Sequence, residues 1–527
     1  MISLLAAGFL LRVWQASKTF LNPDEALHFF TANKASWGLT AKASLTISHP
    51  PLLILLLHAW RSLGTSELML RMPSILAGTL FCCLIYKWSA MLFRDSVVWI
   101  VFILALFLPS SVDLSTEIRQ YALLLAFAMG SAYLLELALA RKSAPAMLGS
   151  GACLWLAICS HYSSFLFAAA LGSYAIMRML KDHPPRRIFV AWVAGQTVAL
   201  GLCCFFYKIH ISRLGQSYGG ANAAQGWMAN AYLGNSYFVP GKINPLLFIF
   251  ARSGGVFQYV FGQSAIGDLG FLIFVIGMVL VFRKPAYGSL SSSSPSRQLG
   301  MLLLGPFAFN CAAALVRAYP YGGTRHSAFL LPFALAGVGV ALAHFLRNRA
   351  SLGMILALVI ALVCNLFPTH RLPYMSPQDQ RRGNMQAALG FMHQEIAPGE
   401  IIFADYQTSL MLDHYLCDQR PVAPDHSVPG FISYECGGHR VIATDWNTVV
   451  FTARSFYDQW QLLVKKYSLS PGTRVWVAHM GWSTYLAMEL EKFPEFHLAP
   501  HFFGDRIQIF DLTVGQSMPD PKLLPTP

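Results

Sequence analysis

Residues Asn22–Leu53 read NPDEALHFFTANKASWGLTAKASLTISHPPLL and interrupt a chain that is otherwise apolar enough to lie in a bilayer. This stretch begins with a pair of acids, Asp24 and Glu25, and it ends at His49 and two prolines. An ordinary polar loop between two helices would also explain the acids. Because ionisable side chains beside membrane segments are a mark of functional cavities, we expect the chemistry of the chain here.

The composition predicts a membrane protein with many spans. The chain has 527 residues, of which 55% are hydrophobic and only 12% are charged, whereas soluble domains carry roughly 25% charged residues. The net charge of +13 comes largely from short basic clusters between apolar runs. That pattern is typical of the cytoplasmic turns of membrane proteins, so we expect membrane lipids as partners and no nucleic acid.

The apolar runs predict the topology. A span needs about 17–25 residues. The run Pro50–Leu63 has 14 residues and contains His58 and Arg61, so we expect it to lie at the membrane surface. Basic turns then face the cytoplasm if the N-terminus is inside and the C-terminus is outside. Eleven spans are predicted: Met1–Ser17, Leu70–Leu92, Val97–Asp113, Arg119–Ala140, Pro145–Ser160, Ser163–Met179, Ile188–Phe206, Asp268–Phe282, Leu299–Val316, His326–Leu346 and Leu352–Phe367.

The composition changes at Pro368, where charged residues return. Short β-branched runs predict strands, and the segments between them predict helices. We therefore expect an α-helical polytopic membrane domain (1–367), a small extracytoplasmic α/β domain (368–514) and a disordered tail (515–527). The predicted strands are Ile401–Asp405, Arg440–Asp445, Arg474–His479 and Arg506–Leu512, and the predicted helices are Ser455–Lys466 and Ser483–Lys492.

The cysteines divide into two groups. Eight of the ten lie in apolar runs, where we expect small buried side chains. Cys417 and Cys436 lie in the polar C-terminal part. They could form a disulfide outside the cytoplasm, but the sequence leaves the pairing open.

The unusual polar residues all fall on the non-cytoplasmic side of the predicted topology. Helix ends on one side of a bundle converge, so we expect these residues to line one cavity. A carboxylate can take a proton from a hydroxyl nucleophile, and arginine can hold a phosphate with a bidentate fork. Besides Asp24, Glu25 and His49, the candidates are His28, Glu117, Arg119, Tyr121, His161, Tyr162, Tyr319, Arg325 and His326.

For His161 and Tyr162 a structural role is the alternative. Tyr162 stands at the end of a span, where tyrosine is an ordinary interfacial residue. His58 lies in an apolar helix and is expected to be a satisfied structural histidine.

Six motifs occur in order between Asn22 and Pro332: NPDEALHFF, HPPLLILLLHAW, ELMLRMPSILAGTLF, STEIRQYALLL, CSHYSSFLF and GGTRHSAFLLP. Together they resemble the GT-C glycosyltransferases that use polyprenyl-phosphate sugars. That group includes protein O-mannosyltransferases, aminoarabinose transferases and lipopolysaccharide-core transferases. The resemblance covers roughly the first two thirds of the chain, and the residues after Pro368 resemble no family that we can name.

The resemblance implies roles for the candidates. Asp24 is the expected catalytic base or the acid that orients the acceptor, with Glu25 beside it. The expected contacts of the donor phosphate are His49, Arg119, Arg325 and His326. Some relatives bind a divalent metal. Because the acids and histidines here have no ligand spacing, we expect that no metal or other cofactor is required.

We therefore expect an inverting glycosyltransferase in the cytoplasmic (inner) membrane. It would move a sugar from a polyprenyl-phosphate donor to a glycan, lipid or protein acceptor on the outer face. One alternative is a transporter or flippase of lipid-linked sugars, which would carry polar residues in the middle of its spans. Another is a polymerase or ligase with a diphosphate-linked donor.

Overall fold

The computed structural model describes residues 1–217, 233, 235–283, 296–369, 380–417, 424–481, 485–493 and 498–524. The chain forms two compact units. Unit 1 comprises Met1–Trp14, Ser36–Trp60 and Arg71–Leu372. Unit 2 comprises Gln15–Ala35, Arg61–Leu70 and Pro373–Pro527. Two segments that precede the predicted boundary at residue 367 are therefore compact with the C-terminal residues.

The described residues are mainly helical. The helices, labelled in chain order, are α1 (Ile2–Lys18), α2 (Pro23–Ala32), α3 (Trp37–Ser44), α4 (Leu52–Trp60), α5 (Glu67–Leu92), α6 (Asp95–Phe107), α7 (Pro109–Thr116), α8 (Tyr121–Arg141), α9 (Ala144–Ser160), α10 (Ser164–Asp182), α11 (Arg186–Phe206), α12 (Ser212–Ser217), α13 (Pro245–Phe261), α14 (Ser264–Arg283), α15 (Ser296–Leu315), α16 (Leu331–Phe345), α17 (Ala350–Leu366), α18 (Arg382–Glu395), α19 (Tyr406–Tyr415), α20 (Ala453–Lys466) and α21 (Leu486–Leu490).

Each predicted span corresponds to a helix or, for Val97–Asp113, to a bent pair of helices, but the number of spans is not confirmed. Among the described residues, six helices are long and apolar enough to cross a membrane, or seven if the bent pair α6 and α7 is one span. Helices α1, α9 and α17 have 17 residues each. At 1.5 Å per residue such a helix is about 26 Å long, shorter than a hydrocarbon core of about 30 Å. The multi-pass membrane architecture itself is confirmed.

The predicted span Val97–Asp113 is broken into α6 and α7, which meet at an angle of 49°. Pro109 causes the break because a proline disfavours helical geometry in the residue before it. Arg12 lies at this break, is 0% exposed, and donates from Nη1 to the carbonyl of Leu106 at 3.0 Å. Its Nε donates to the Ser115 hydroxyl at 2.8 Å. The guanidinium thus satisfies backbone groups that the end of α6 leaves without helical partners.

Unit 2 contains a six-stranded mixed sheet with the order β2-β3-β1-β4-β6-β5. Strand β1 is parallel to β3, with Ile401 opposite Arg440, and parallel to β4, with Ile401 opposite Val475. The other neighbours are antiparallel. The predicted small α/β domain is confirmed, and its strands are β1 (Ile401–Ala404), β2 (Phe431–Cys436), β3 (His439–Thr444), β4 (Arg474–Met480), β5 (His501–Phe502) and β6 (Ile507–Thr513).

The predicted strands correspond to β1, β3, β4 and β6, whereas β2 and β5 were not predicted. Strand β2 joins β3 through Gly437 and Gly438, which have φ angles of +59° and +85°. Two residues with positive φ form the tight turn that suits the twist of a hairpin. The Gly-Gly pair was therefore a usable signal for β2.

Helices cover both faces of this sheet. Ile402 of β1 packs with Met385 of α18 and Met411 of α19 on one face. On the other face Phe403 packs with Trp460 of α20. This alternation follows from the pleat, which directs successive side chains to opposite faces.

Two further features of unit 2 are a disulfide and the packing of the C-terminal tail. Cys417 and Cys436, whose pairing the sequence left open, form a disulfide with Cα atoms 4.9 Å apart. The prediction of disorder for 515–527 does not hold over 515–524. Leu524 is 3% exposed and belongs to the hydrophobic core that also contains Trp460 of α20. The carbonyl of Pro521 accepts a hydrogen bond from Arg454.

Candidate active site

Tyr121 is the centre of a group of cationic side chains in unit 1. Its side chain is 1% exposed, and the guanidinium carbons of Arg119 and Arg325 lie 5.9 Å and 5.7 Å from its ring centroid. The ring of His161 lies 5.1 Å away. An aromatic face attracts cations at such distances, so one ring brings both guanidinium groups together. We call Arg119, Tyr121, His161 and Arg325 the cationic cluster.

Each member of the cationic cluster stands at the end of a helix. Arg119 lies between α7 and α8, where its N–H donates to the carbonyl of Glu117 at 2.8 Å and its carbonyl accepts from the Ser74 hydroxyl at 3.2 Å. Tyr121 is the first residue of α8, and His161 directly follows α9. Arg325 is the first residue of a 3₁₀ helix, Arg325–Leu330. Helix ends thus direct side chains from distant parts of the chain to one place, as the sequence predicts.

His161 is a neutral hydrogen-bond donor. The Ser163 N–H donates to its Nδ1 at 3.2 Å. Nδ1 is therefore an acceptor, and the neutral ring carries its proton on Nε2. Burial, together with the charges of Arg119 and Arg325, lowers the pKa of His161 to about 3. At neutral pH the net positive charge of the cluster comes from its two arginines.

Two more histidines extend the cluster. The ring of His49 stacks on that of His161 at 5.6 Å, and the ring of His326 lies 6.2 Å from it. The hydroxyl of Tyr319 donates to the backbone carbonyl of His326 at 3.3 Å. The structure therefore brings together the four side chains that the sequence predicts for the donor phosphate.

Tyr121 and its neighbour in the chain, Gln120, carry buried polar atoms without partners. Within the described ranges, the hydroxyl of Tyr121 and both polar atoms of the Gln120 side chain are buried and make no hydrogen bond. An unsatisfied buried group costs about 1–3 kcal/mol. A ligand rich in oxygen atoms would satisfy such groups. Gln120 was not among the predicted site residues, since a single glutamine in the sequence carries no signal.

Two further predicted cavity residues have the following contacts. The hydroxyl of Tyr162 forms a hydrogen bond with Nδ1 of His210, a buried histidine that the sequence did not single out. Glu117 ends α7, and its backbone supports Arg119. The roles predicted for the side chains of Tyr162 and Glu117 stay predictions.

The two acids of α2 belong to unit 2 and differ in their contacts. Asn22 caps the helix: its side chain accepts from the N–H of Glu25 at 3.0 Å, while the Glu25 carboxylate accepts from the N–H of Asn22 at 2.9 Å. This reciprocal pair is a capping box. Glu25 is 0% exposed, and its Oε2 lies 3.4 Å from the Gln380 amide nitrogen. The geometry thus gives Glu25, predicted as catalytic, a structural role.

Asp24 is 8% exposed and lies in the first turn of α2. A carboxylate is stable there because the helix N-terminus carries partial positive charge. His28 follows one turn later, and its Nδ1 lies 2.6 Å from the Asp24 carbonyl. Because a carbonyl only accepts, Nδ1 of His28 carries the proton.

His58 and the question of a metal site remain. His58 pairs with the Thr40 hydroxyl at 2.9 Å and packs against the Trp37 ring, as expected of a structural histidine. In the part of the chain that the structure describes, no three His, Cys, Asp or Glu side chains are grouped to hold a metal ion. The metal requirement stays a prediction.

Comparisons with known proteins found one family model and several solved structures that are similar to this chain. A family model described as dolichyl-phosphate-mannose-protein mannosyltransferase matches residues 48–233. No curated protein matches the chain in sequence. The archaeal oligosaccharyltransferase AglB from Archaeoglobus fulgidus, in complex with an inhibitory peptide and a dolichol-phosphate, has a TM-score of 0.46 at 10% identity, over 90% of this chain and 69% of that chain.

The chain is more similar to ArnT from Cupriavidus metallidurans. With the structure bound to undecaprenyl phosphate it has a TM-score of 0.52 at 14% identity, over 98% of this chain and 99% of that chain. With the apo state the TM-score is 0.51 at 12% identity, over the same shares. The similarity extends over both units of this chain. The chain therefore has the fold of the GT-C glycosyltransferases, as its sequence motifs predict.

Proposed function

We propose that this protein is an inverting glycosyltransferase that takes a sugar from a polyprenyl-phosphate donor. The acceptor is a glycan, lipid or protein of the cell envelope. The reaction takes place at the outer face of the cytoplasmic membrane, where unit 2 also lies. The observation that carries the proposal is the cationic cluster, in which two arginines share one buried tyrosine ring.

The cluster suits a phosphate that gains charge during the reaction. The donor phosphodiester carries one negative charge, and the polyprenyl phosphate that leaves carries up to two. Arg119 and Arg325 supply fixed positive charges, and His161 offers a neutral N–H. Groups that bind the leaving phosphate more strongly than the donor stabilise the transition state, and this difference accelerates the reaction.

Asp24 is the proposed base. Its carboxylate takes the proton of the acceptor hydroxyl while the acceptor oxygen attacks the anomeric carbon from the face opposite the phosphate. The bond between the anomeric carbon and the phosphate oxygen breaks, and its electron pair leaves with polyprenyl phosphate. A single displacement inverts the anomeric configuration. Glu25 is not proposed as the base because its carboxylate belongs to the capping box.

The test measures binding of undecaprenyl phosphate to the purified protein in nanodiscs. Arg119→Ala should weaken binding about 10- to 100-fold, since a hydrogen bond to a charged group is worth about 1.5–3 kcal/mol. Arg141→Ala is the matched control because Arg141 is exposed at the opposite end of α8 from Tyr121. Equal affinities of the two variants would refute the phosphate site.

A second measurement tests the chemistry. The wild-type protein should form polyprenyl phosphate and an extended acceptor from a labelled polyprenyl-phosphate sugar and a cell-envelope extract. Movement of the labelled lipid across the vesicle membrane with no new glycosidic bond would favour the flippase alternative. Turnover that requires a diphosphate-linked donor would favour the polymerase or ligase alternative.

A further inference from the structure

The sheet of unit 2 has a topological switch point between β1 and β4. After β1 the chain enters α19, which packs on the face that contains Ile402 and Met411. After β4 the next described helix is α21, which packs on the opposite face through Leu486 and Leu490. Where neighbouring parallel strands continue to opposite faces, a crevice opens at their carboxyl ends, and α/β domains commonly bind ligands there.

In this protein the crevice holds part of the chain itself. Gly481 directly follows β4 and has a φ angle of +100°. A Cβ atom added to Gly481 would lie 2.5 Å from Cγ of Pro23, the first residue of α2, and 3.7 Å from Oε1 of Gln407. The first turn of α2 therefore rests directly on the backbone at the switch point, one residue before Asp24.

The segment that leads into α2 is held on both sides. The N–H of Phe20 donates to the carbonyl of Gln380 at 3.0 Å, and the Gln380 amide donates back to the carbonyl of Phe20. The N–H of Leu21 donates to the hydroxyl of Tyr415, the last residue of α19, at 2.7 Å. These bonds fix the backbone immediately before the Asn22 cap.

The body of α2 packs against the same helix. The ring of Phe29 lies edge-on to that of His414 with the centroids 5.4 Å apart, and Ala26 is fully buried in the core that contains Met411. Every turn of α2 thus has a contact with the C-terminal residues of unit 2. Such a helix has little freedom to rotate or shift.

We propose that the switch-point crevice of the C-terminal sheet is the seat that sets the position of Asp24, and that Gly481 is its positioning residue. This inference rests on the proposed role of Asp24 as the base. The crevice, which in other α/β domains receives a ligand, here receives the helix that carries the base. The C-terminal residues then contribute to catalysis without touching the substrate.

Gly481→Ala tests the proposal because the added methyl group meets a rigid neighbour. The Pro23 ring cannot rotate away as a flexible side chain would, so the contact between α2 and the backbone at Gly481 must change. A displacement of about 1 Å near the chemistry can lower the rate about 100-fold. We expect kcat to fall about 10- to 100-fold, while the affinity for undecaprenyl phosphate stays as in the wild type.

Gly399→Ala is the matched control. Gly399 belongs to the same unit and has a φ angle of +87°, but a Cβ atom there would meet nothing within 4 Å. Both variants therefore place a side chain at a positive φ angle, but only Gly481→Ala brings the new Cβ atom against Pro23. Pro23→Ala in the Gly481→Ala background removes the obstructing Cγ and should restore most of the lost kcat, relative to Pro23→Ala alone.

Hydrogen exchange of the α2 amides gives a readout that does not depend on turnover. Exchange should rise in Gly481→Ala and not in Gly399→Ala. If both variants have equal kcat and equal α2 exchange, or if Pro23→Ala restores nothing, the positioning role is overturned. If Asp24→Asn retains full transfer, the proposed base is wrong, and the exchange data then decide alone whether Gly481 seats α2.

Discussion

The cationic cluster of unit 1 and the first turn of α2 in unit 2 are both buried and charged, but they are built differently. Arg119, His161 and Arg325 come from three distant segments and meet around one ring, where the Tyr121 hydroxyl has no partner among the described residues. Asn22 and Glu25 come from a single turn and satisfy each other.

The difference matches two tasks. Polar atoms left without protein partners lower the stability of the free protein, but they are available to a ligand. A turn that is fully capped and seated on a sheet is rigid, and rigidity keeps a base at the correct distance from its substrate. The following predictions test this contrast, from the largest expected effect to the smallest.

The largest effect is expected for the two neighbouring acids. Asp24→Asn should lower kcat about 100- to 10,000-fold, the usual contribution of a general base. Glu25→Gln should change kcat less than about threefold, because glutamine also completes a capping box. Steady-state transfer assays of both variants check this. A larger loss in Glu25→Gln than in Asp24→Asn would reverse the assignment.

A buried pair in the core of unit 2 gives the next prediction. Asp405, which caps α19, and His479 of β4 are both 0% exposed, with His479 Nε2 3.3 Å from Asp405 Oδ2. Burial raises the pKa of Asp405 to about 7 and lowers that of His479 to about 3. Between about pH 4 and 6.5 the pair holds one titratable proton in both states. In the folded protein this proton is on the Asp405 carboxyl group, and in the unfolded protein it is on the His479 ring.

The pair therefore adds no pH dependence to the free energy of unfolding in that range. In Asp405→Asn only the unfolded state takes up a proton, on His479, as the pH falls from 6.5 towards 4. Stability should then fall by about 1 kcal/mol per pH unit, while asparagine still caps α19. Hydrogen exchange of β1 and β4, corrected for the intrinsic rate, measures the slope. A flat profile in the variant would contradict the neutral pair.

Arg325→Lys tests whether the cluster binds by geometry or only by charge. Lysine keeps the positive charge but lacks the planar fork that matches a phosphate. Affinity for undecaprenyl phosphate should fall about 10-fold, roughly 1.4 kcal/mol. Arg141→Lys is the control and should have no effect. Wild-type affinity in Arg325→Lys would mean that charge alone suffices.

The smallest effect is expected for Tyr121→Phe, and its two readouts should have opposite signs. Removal of the unpartnered hydroxyl should raise the thermal stability of the ligand-free protein. It should also weaken undecaprenyl phosphate binding about 2- to 12-fold, since a hydrogen bond contributes about 0.5–1.5 kcal/mol. Unchanged affinity together with higher stability would show that the ligand does not use this hydroxyl.

Much of the candidate site was visible in the sequence. Asp24, His49, Arg119, His161 and Arg325 stand out because charged and polar residues are rare in this chain and these lie next to apolar runs. The capping box of Asn22 and Glu25 was also readable from its spacing, although a pair of adjacent acids equally suggests a catalytic role for both. Pro109, at the break between α6 and α7, was a visible signal too.

Other features had no local signal. Tyr121 became the centre of the cluster only because helix ends from different parts of unit 1 meet there. Gly481 and Pro23 lie at opposite ends of the chain, and no pattern within either segment indicates their contact. The unpartnered atoms of Gln120 likewise depend on what packs around them.

The sequence by itself determined that the chain enters a membrane, that its polar residues gather at helix ends and that a small sheet domain follows. These properties come from transfer free energies and local backbone preferences, which each segment carries with it. Only the tertiary structure decided that α2 joins unit 2, that Gly481 lies against Pro23, and that one tyrosine ring lies beside two arginines. Those outcomes depend on close contacts between residues far apart in the chain, and such contacts exist only once the segments have packed.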